Sequence, residues 1–254
     1  MPRWRGIIQY DGSKFSGFQR QSKGRTVQGV VEKALGKMHK TADVPIFGSG
    51  RTDAGVHAFG QVIHFDSPVQ IPEERWLQAL NGWLPDDVIL YAIAPVEETF
   101  HARYDAIGKA YEYRVTNGPI KDVFRRLYVH HEFRPLNEEL MQEALALFYG
   151  THDFRAFCST RSTVTSHVRT VTKATLEKSG AEFCFYIEGN GFLHHMVRMI
   201  VGTVIKAGHG AIAPEDIQHC LESGDKGNTV KTAPAQGLYL LRVDYPEDTA
   251  AKEN

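Results

Sequence analysis

The stretch Gly48-Ser49-Gly50-Arg51-Thr52-Asp53-Ala54-Gly55-Val56-His57-Ala58 sets one carboxylate two positions from one guanidinium among many glycines. A carboxylate serves as nucleophile or base only when something beside it keeps it ionised and in place. Asp53 thus offers covalent or acid–base chemistry, with Arg51 as its near neighbour. Gly48, Gly50 and Gly55, with Gly60 beyond, permit positive φ and close backbone approach. A solvated turn pair is the ordinary reading of Arg-x-Asp, but such a turn does not need so many glycines. A phosphate-binding loop fits worse, because its lysine-bearing pattern is absent and a carboxylate would repel phosphate.

The loop lies between an apolar run, Val44 to Phe47, and an alternating one, Gln61 to Asp66, so it reads as a strand-to-strand connection on a rigid scaffold. Arg5 to Tyr10 is a short strand before it. Thr26 caps a helix with Val27, Val30, Val31, Ala34, Leu35 and Met38 on one face. Pro72, in the first turn, opens a second helix carrying Trp76, Leu77 and Leu80, and Val88 to Ala94 is a strand. The order is β-α-β-β-α-β. Residues 106–116 then form a strand with Lys109, Tyr111, Tyr113 and Val115 on one face. Asn137 caps a helix, and Val168 to Lys178 with Glu182 to Glu188 form a hairpin around Ser179-Gly180. A long helix from Leu193 to Ala207, a shorter one opening at Pro214 and a last strand, Leu238 to Tyr245, complete nearly the same order. The stretch from Tyr149 to Arg169 reads as a long loop. The expected fold is α+β: two ferredoxin-like βαββαβ units side by side, helices on one face of each sheet and a cleft on the other. Residues 1–100 form the first unit, with the Asp53 loop. Residues 101–254 form the second.

The helix after Gly189-Asn190-Gly191-Phe192 carries an i,i+4 stripe of His194, Arg198, Gly202 and Lys206 beside its apolar face. Arg198 is most simply a surface residue, or a counter-ion for Asp53 if this helix packs beside the loop. Tyr111 and Tyr113 are most simply sheet residues. Their functional alternative is a surface for stacking a flipped base. His130-His131 and His194-His195 invite a metal, but helical neighbours diverge by about 100°, so no metal site is expected.

Hydrophobic residues make up 42% of the 254, ample for a buried core, and the formal net charge is −1. Any basic surface must therefore come from clustering. Lys14, Arg20, Arg25, Arg161 and Arg169, in loops or at strand edges, would as a set flanking one cleft suit phosphate contacts. Cys158, Cys184 and Cys220 are odd in number without CxxC spacing, which favours a reducing compartment. With no apolar run of about 18 residues, a cytoplasmic protein with no membrane partner is expected.

Taken together, Tyr10 to Gln21, Gly50 to Ala58, Phe100-His101-Ala102-Arg103, Lys109 to Arg114, His194 to Gly202 and Ala235 to Leu238 resemble the TruA family of tRNA pseudouridine synthases. The resemblance implies isomerisation of uridine to pseudouridine at positions 38, 39 and 40 of the tRNA anticodon stem-loop, without metal, nucleotide or other cofactor, by a homodimer. Asp53 then matches the essential carboxylate, Tyr111 the tyrosine against the target base and Arg198 the aspartate's basic partner. Arg51, Tyr111, His194 and Arg103 become substrate-binding candidates. Two other classes stay open at this point: an RNA-binding module without chemistry, and a carbohydrate-active enzyme, which would need a second carboxylate.

Overall fold

The computed structural model describes residues 1–159 and 165–246, and its elements follow from the sequence pattern at most points. The first unit comprises Met1–Ile107 together with the residues from Tyr239 on. Its strands are β1 (Arg3–Tyr10), β2 (Phe47–Gly48), β3 (His57–Asp66) and β4 (Val88–Val96). Its helices are α1 (Val27–His39) and α2 (Glu73–Asn81). The Thr26 hydroxyl accepts the Gly29 N–H at 3.3 Å and so caps α1. Strand β1 pairs antiparallel with β3 on one side and β4 on the other, and β2 adds to β3 through Phe47 opposite His64. This is the split β-α-β arrangement expected for the first half.

One face of this sheet carries Trp4, Ile8, Ile63 and Phe65, with Trp76 of α2 packed 5.2 Å from Trp4 and 5.6 Å from Phe65 between ring centres. On the other face, Phe100 packs 5.3 Å from Tyr245, and the Tyr245 hydroxyl donates to the Ala102 carbonyl at 2.6 Å. Strand β3 is therefore buried on both faces through most of its length.

The second unit, Gly108–Leu238, holds β5 (Gly108–Asn117), β6 (His130–Glu132), α3 (Glu138–Ala146), β7 (Gly150–Asp153), β8 (Val168–Ser179), β9 (Glu182–Gly189), α4 (Met196–Gly208) and α5 (Pro214–Ser223). Its strands run in the order β5-β9-β8-β7, with β6 parallel to β5. Tyr111, Tyr113 and Val115 stand opposite Ile187, Phe185 and Phe183 in the β5–β9 register, giving a continuous apolar face. The described residues thus form a mixed α+β protein, and none of their helices is long and apolar enough to cross a membrane.

Four local differences have physical reasons. Val44 to Phe47 does not form a strand before Phe47, because Pro45 has no N–H to give a ladder. The Ile46 N–H instead binds the Glu32 carboxylate of α1 at 3.2 Å. The stretch from Tyr149 is not all loop: β7 pairs with β8 from Gly150 opposite Val171, and a 3-10 turn, Phe154–Phe157, buries both its phenylalanines. Helix α4 starts at Met196 rather than Leu193, since His195 takes the left-handed conformation at φ 67°. Last, β10 (Leu238–Asp244) pairs in parallel with β3 through Tyr239 opposite His57, so residues from Tyr239 group with the first unit rather than the second.

Candidate active site

The loop carrying Asp53 runs from the end of β2 at Gly48 to the start of β3 at His57, and buried polar groups hold it from several sides. The Ser49 hydroxyl donates to Gln61 Oε1 at 2.6 Å, and Gln61 Nε2 donates to the Gly50 carbonyl at 2.9 Å. Ser49 and Gln61 are fully buried. The Tyr10 hydroxyl lies 2.8 Å from Thr52 Oγ1, also in the interior. Burial pushes the Tyr10 phenol up to about 12, so it stays neutral and keeps this hydrogen bond across the physiological range. The Phe18 N–H donates to the Thr52 carbonyl at 3.1 Å. The Val56 N–H closes a turn onto the Asp53 carbonyl at 3.1 Å, with Gly55 at φ 80°.

The segment after β1 acts as the buttress. The Gly12 N–H donates to His57 Nδ1 at 3.1 Å. Gly17 sits at φ 98°, and a Cβ there would come within 2.8 Å of the Thr52 carbonyl oxygen. The backbone on both sides of Asp53 is therefore fixed by groups outside the loop, while Asp53 is half-buried and Arg51 exposed. A pinned backbone that fixes where a carboxylate stands is what a reacting group needs. Gln61 and Tyr10 were not singled out by the sequence. The signal available was a glutamine at a buried position of β3 and a tyrosine at the buried end of β1.

In the second unit, Tyr111 is buried on β5 with its ring edge-on to Phe192 at 5.2 Å. The Tyr113 hydroxyl donates to the Pro234 carbonyl at 2.7 Å, and burial raises its pKa while the Arg198 charge opposes that rise. Of the two tyrosines, Tyr113 is thus a packing residue of the sheet. Arg198 Nε donates to the Ala233 carbonyl at 2.8 Å, and the Ala233 N–H returns a bond to the Arg198 carbonyl at 2.9 Å. The strap 231–234 lies so close to α4 that a Cβ on Gly202 would come within 2.7 Å of the Ala233 nitrogen. Gly202 is therefore where helix and strap meet, and the strap holds the Arg198 guanidinium.

His194 stands outside α4, so it shares no helical stripe with Arg198. Its ring centre lies 3.9 Å from that of His195, and the helical argument against those two rings approaching one ion does not apply. Arg103 is exposed beside Tyr104. Lys14 is exposed in a short 3-10 turn. Arg20 forms ion pairs with Asp43 and Glu32, and Arg25 a bidentate pair with Asp87 at 2.6 and 2.7 Å. Both of these guanidinium groups thus have acidic partners within the protein. Arg169 donates to the carbonyls of Ser166 and Val168. Arg161 lies outside the described residues.

Comparison with known proteins bears on the whole chain. The tRNA pseudouridine synthase family matches residues 7–105 and 144–246, which include Asp53 and Arg198. The chain belongs to the tRNA pseudouridine synthase family. It is 49% identical over 245 residues to tRNA pseudouridine synthase A of Anoxybacillus flavithermus, covering 96% of this chain and 99% of that one. Identity to the tRNA pseudouridine synthase A of Geobacillus kaustophilus is 47% over 242 residues, covering 95% and 94%, and to that of Bacillus subtilis 45% over 244 residues, covering 96% and 99%. Among solved structures, a Cbf5-Nop10-Gar1 complex aligns with a TM-score of 0.38 at 10% identity, covering 93% of this chain and 57% of that one. At that score the likeness adds nothing to the family assignment.

Proposed function

We propose that this member of the pseudouridine synthase family isomerises uridine at positions 38, 39 and 40 of the tRNA anticodon stem-loop, with Asp53 as the essential carboxylate. The observation that carries the reading is the Asp53 loop itself, pinned by Gln61, Tyr10 and Phe18 around the half-buried Asp53. In the isomerisation the N1–C1′ bond of the nucleotide breaks and a C5–C1′ bond forms. C5 loses its proton to solvent, and N1 gains one. Nothing is oxidised and no group leaves, so the protein's own side chains suffice.

In this reading Asp53 attacks the nucleotide or abstracts a proton during glycosidic cleavage. Tyr111, held edge-on by Phe192, presents its ring to the target base and serves in proton transfer. Arg198, its plane set by the Ala233 carbonyl, is the basic partner of the aspartate. Arg51, exposed at the loop's edge, helps extrude the nucleotide, a step costing a few kcal/mol. His194 and Arg103 complete the substrate contacts, and Lys14 and Arg169 are better placed than Arg20 and Arg25 to meet phosphates, because the latter two already have carboxylate partners; Arg161 is a further candidate for a phosphate contact. The working form is a cytoplasmic homodimer.

The deciding experiment is tritium release from tRNA transcribed with [5-³H]uridine. Wild type should release label and Asp53→Asn should not, while both bind tRNA. Transcripts with uridine kept at only one of the three positions assign the sites. Release by Asp53→Asn would move the reacting carboxylate elsewhere. Tight binding without release by wild type would favour an RNA-binding module.

A further inference from the structure

A second feature of the first unit lies outside the reacting residues. Phe47 is 52% exposed and Tyr104 75% exposed, although large aromatics are ordinarily covered. They are not scattered. The Phe47 ring stacks on the buried His64 ring at 5.0 Å with an interplanar angle of 14°. His101 lies 5.8 Å from Phe47 and 4.3 Å from Tyr104, so three rings form one row at the surface.

The row is rigid. His64 is buried, its Nδ1 accepts the Ala102 N–H at 3.1 Å, and burial first and the His101 and Arg3 charges next bring its pKa down to about 4. His64 therefore backs Phe47 as a neutral ring above pH 5. The His101 N–H donates to Asp105 at 2.7 Å, and His101 Nδ1 accepts the Arg103 N–H at 3.1 Å, which fixes the turn bearing Tyr104. The Arg103 guanidinium lies 5.8 Å over the Tyr104 ring. Arg103 and Asp105 are charged groups of this turn, and Asp66, in the same unit, is held by Arg3.

Exposed rings held in a row beside a guanidinium are the means by which proteins hold single-stranded nucleic acid: each base offers a π-face and each phosphate a charge. We propose that Phe47, His101 and Tyr104, with Arg103, form a stacking platform for an unpaired nucleobase of the RNA substrate. This rests on the reading of the chain as a tRNA-acting enzyme. It goes beyond that reading in assigning an accessory contact that positions the RNA without touching the reacting nucleotide.

The test uses the full chain with Phe47→Ala, Tyr104→Ala and Arg103→Gln, measuring tRNA affinity by filter binding across a salt series together with tritium release. Because base–aromatic stacking contributes to affinity base by base, each aromatic truncation should weaken binding about tenfold, with kcat at saturating tRNA and the salt slope unchanged. Arg103→Gln should lower the salt slope by about one. Tyr104→Trp, which keeps a stacking face, should bind as wild type does, and its added fluorescence should be quenched by tRNA. Unchanged affinity in both alanine variants would overturn the platform. So would a changed sedimentation coefficient with unchanged affinity, since the rings would then face a second copy of the chain. Asp53→Asn separates the two readings: it abolishes release while the platform is scored by binding alone. A wild-type chain that binds no tRNA would sink both.

Discussion

At the scale of single residues, the hydrogen bonds around the Asp53 loop give the most direct predictions. Tyr10→Phe removes a hydroxyl from the interior and leaves Thr52 Oγ1 without it, a loss of about 1–2 kcal/mol. If the loop must be held for chemistry, kcat should also fall about tenfold with little change in KM. Chemical denaturation and tritium release, run on the same preparation, check both. The pH sign for Tyr10 is definite. Its pKa is raised in the folded chain to about 12, so its contribution is complete below about pH 10 and is lost between 10 and 12. His64 has the opposite sense. Its folded pKa of about 4 lies below the ordinary 6.5, so its contribution is complete above pH 6.5 and is lost as the pH falls toward 4. Urea unfolding across that window should lose stability on the order of 2–3 kcal/mol from this group. His64→Asn, which keeps an acceptor for the Ala102 N–H, should flatten the slope. An unchanged slope would place the acid sensitivity on other groups.

At the scale of elements, α4 and the strap beside it form the part most exposed to a small change. Gly202→Ala would drive a methyl into the Lys231–Ala233 backbone. Since backbone cannot yield as a flexible side chain does, the strap must shift and the Arg198–Ala233 bonds must loosen. A loss of about 2 kcal/mol or more in thermal unfolding is expected, with a larger fractional loss of activity than a remote core substitution of equal cost. Much of this part was legible from the sequence. Thr26, Asn137 and Ser179-Gly180 announced two helix starts and a hairpin by chemistry that acts within a few residues. Asp53 stood out because its glycines had no bland explanation. What was not read is of two kinds, local breaks in a pattern and partners distant in the chain. Pro45 breaks a strand whose apolar run looks intact, and His195 turns left-handed where periodicity alone continues the helix. Tyr10 and Gln61 gain their roles only when β1 and β3 pair, and the Phe47–His101–Tyr104 row exists only because the 100–105 turn folds back beside β2.

At the scale of the molecule, the first unit is made of two pieces of chain, Met1–Ile107 and the residues from Tyr239. The alternation of the last strand was visible in the sequence, but its partner was not, because periodicity shows which face is buried and not beside which strand. Residues 1–107 expressed alone should lack a fixed tertiary structure, since they lose β10 beside β3 and the Tyr245 cover over Phe100 and Ala102. Near-ultraviolet circular dichroism and amide exchange would report this, and native-like protection of β3 in that fragment would refute it. The second unit, Gly108–Leu238, is continuous and has its own apolar face, so it should hold its strands when produced separately.

The return of β10 to β3 also sets a schedule for synthesis. The Asp53-bearing unit begins to emerge from the ribosome first, yet its sheet waits for the 131 residues of Gly108–Leu238 to be translated before β10 follows. At roughly 5–20 residues per second that interval is on the order of 7–26 s. During it the edge of β3 lies open beside residues 57–58, the pairing positions that β10 later takes. The portion of the enzyme translated first is thus completed last, and a nascent chain that stalls before Tyr239 carries the catalytic loop on an unfinished sheet.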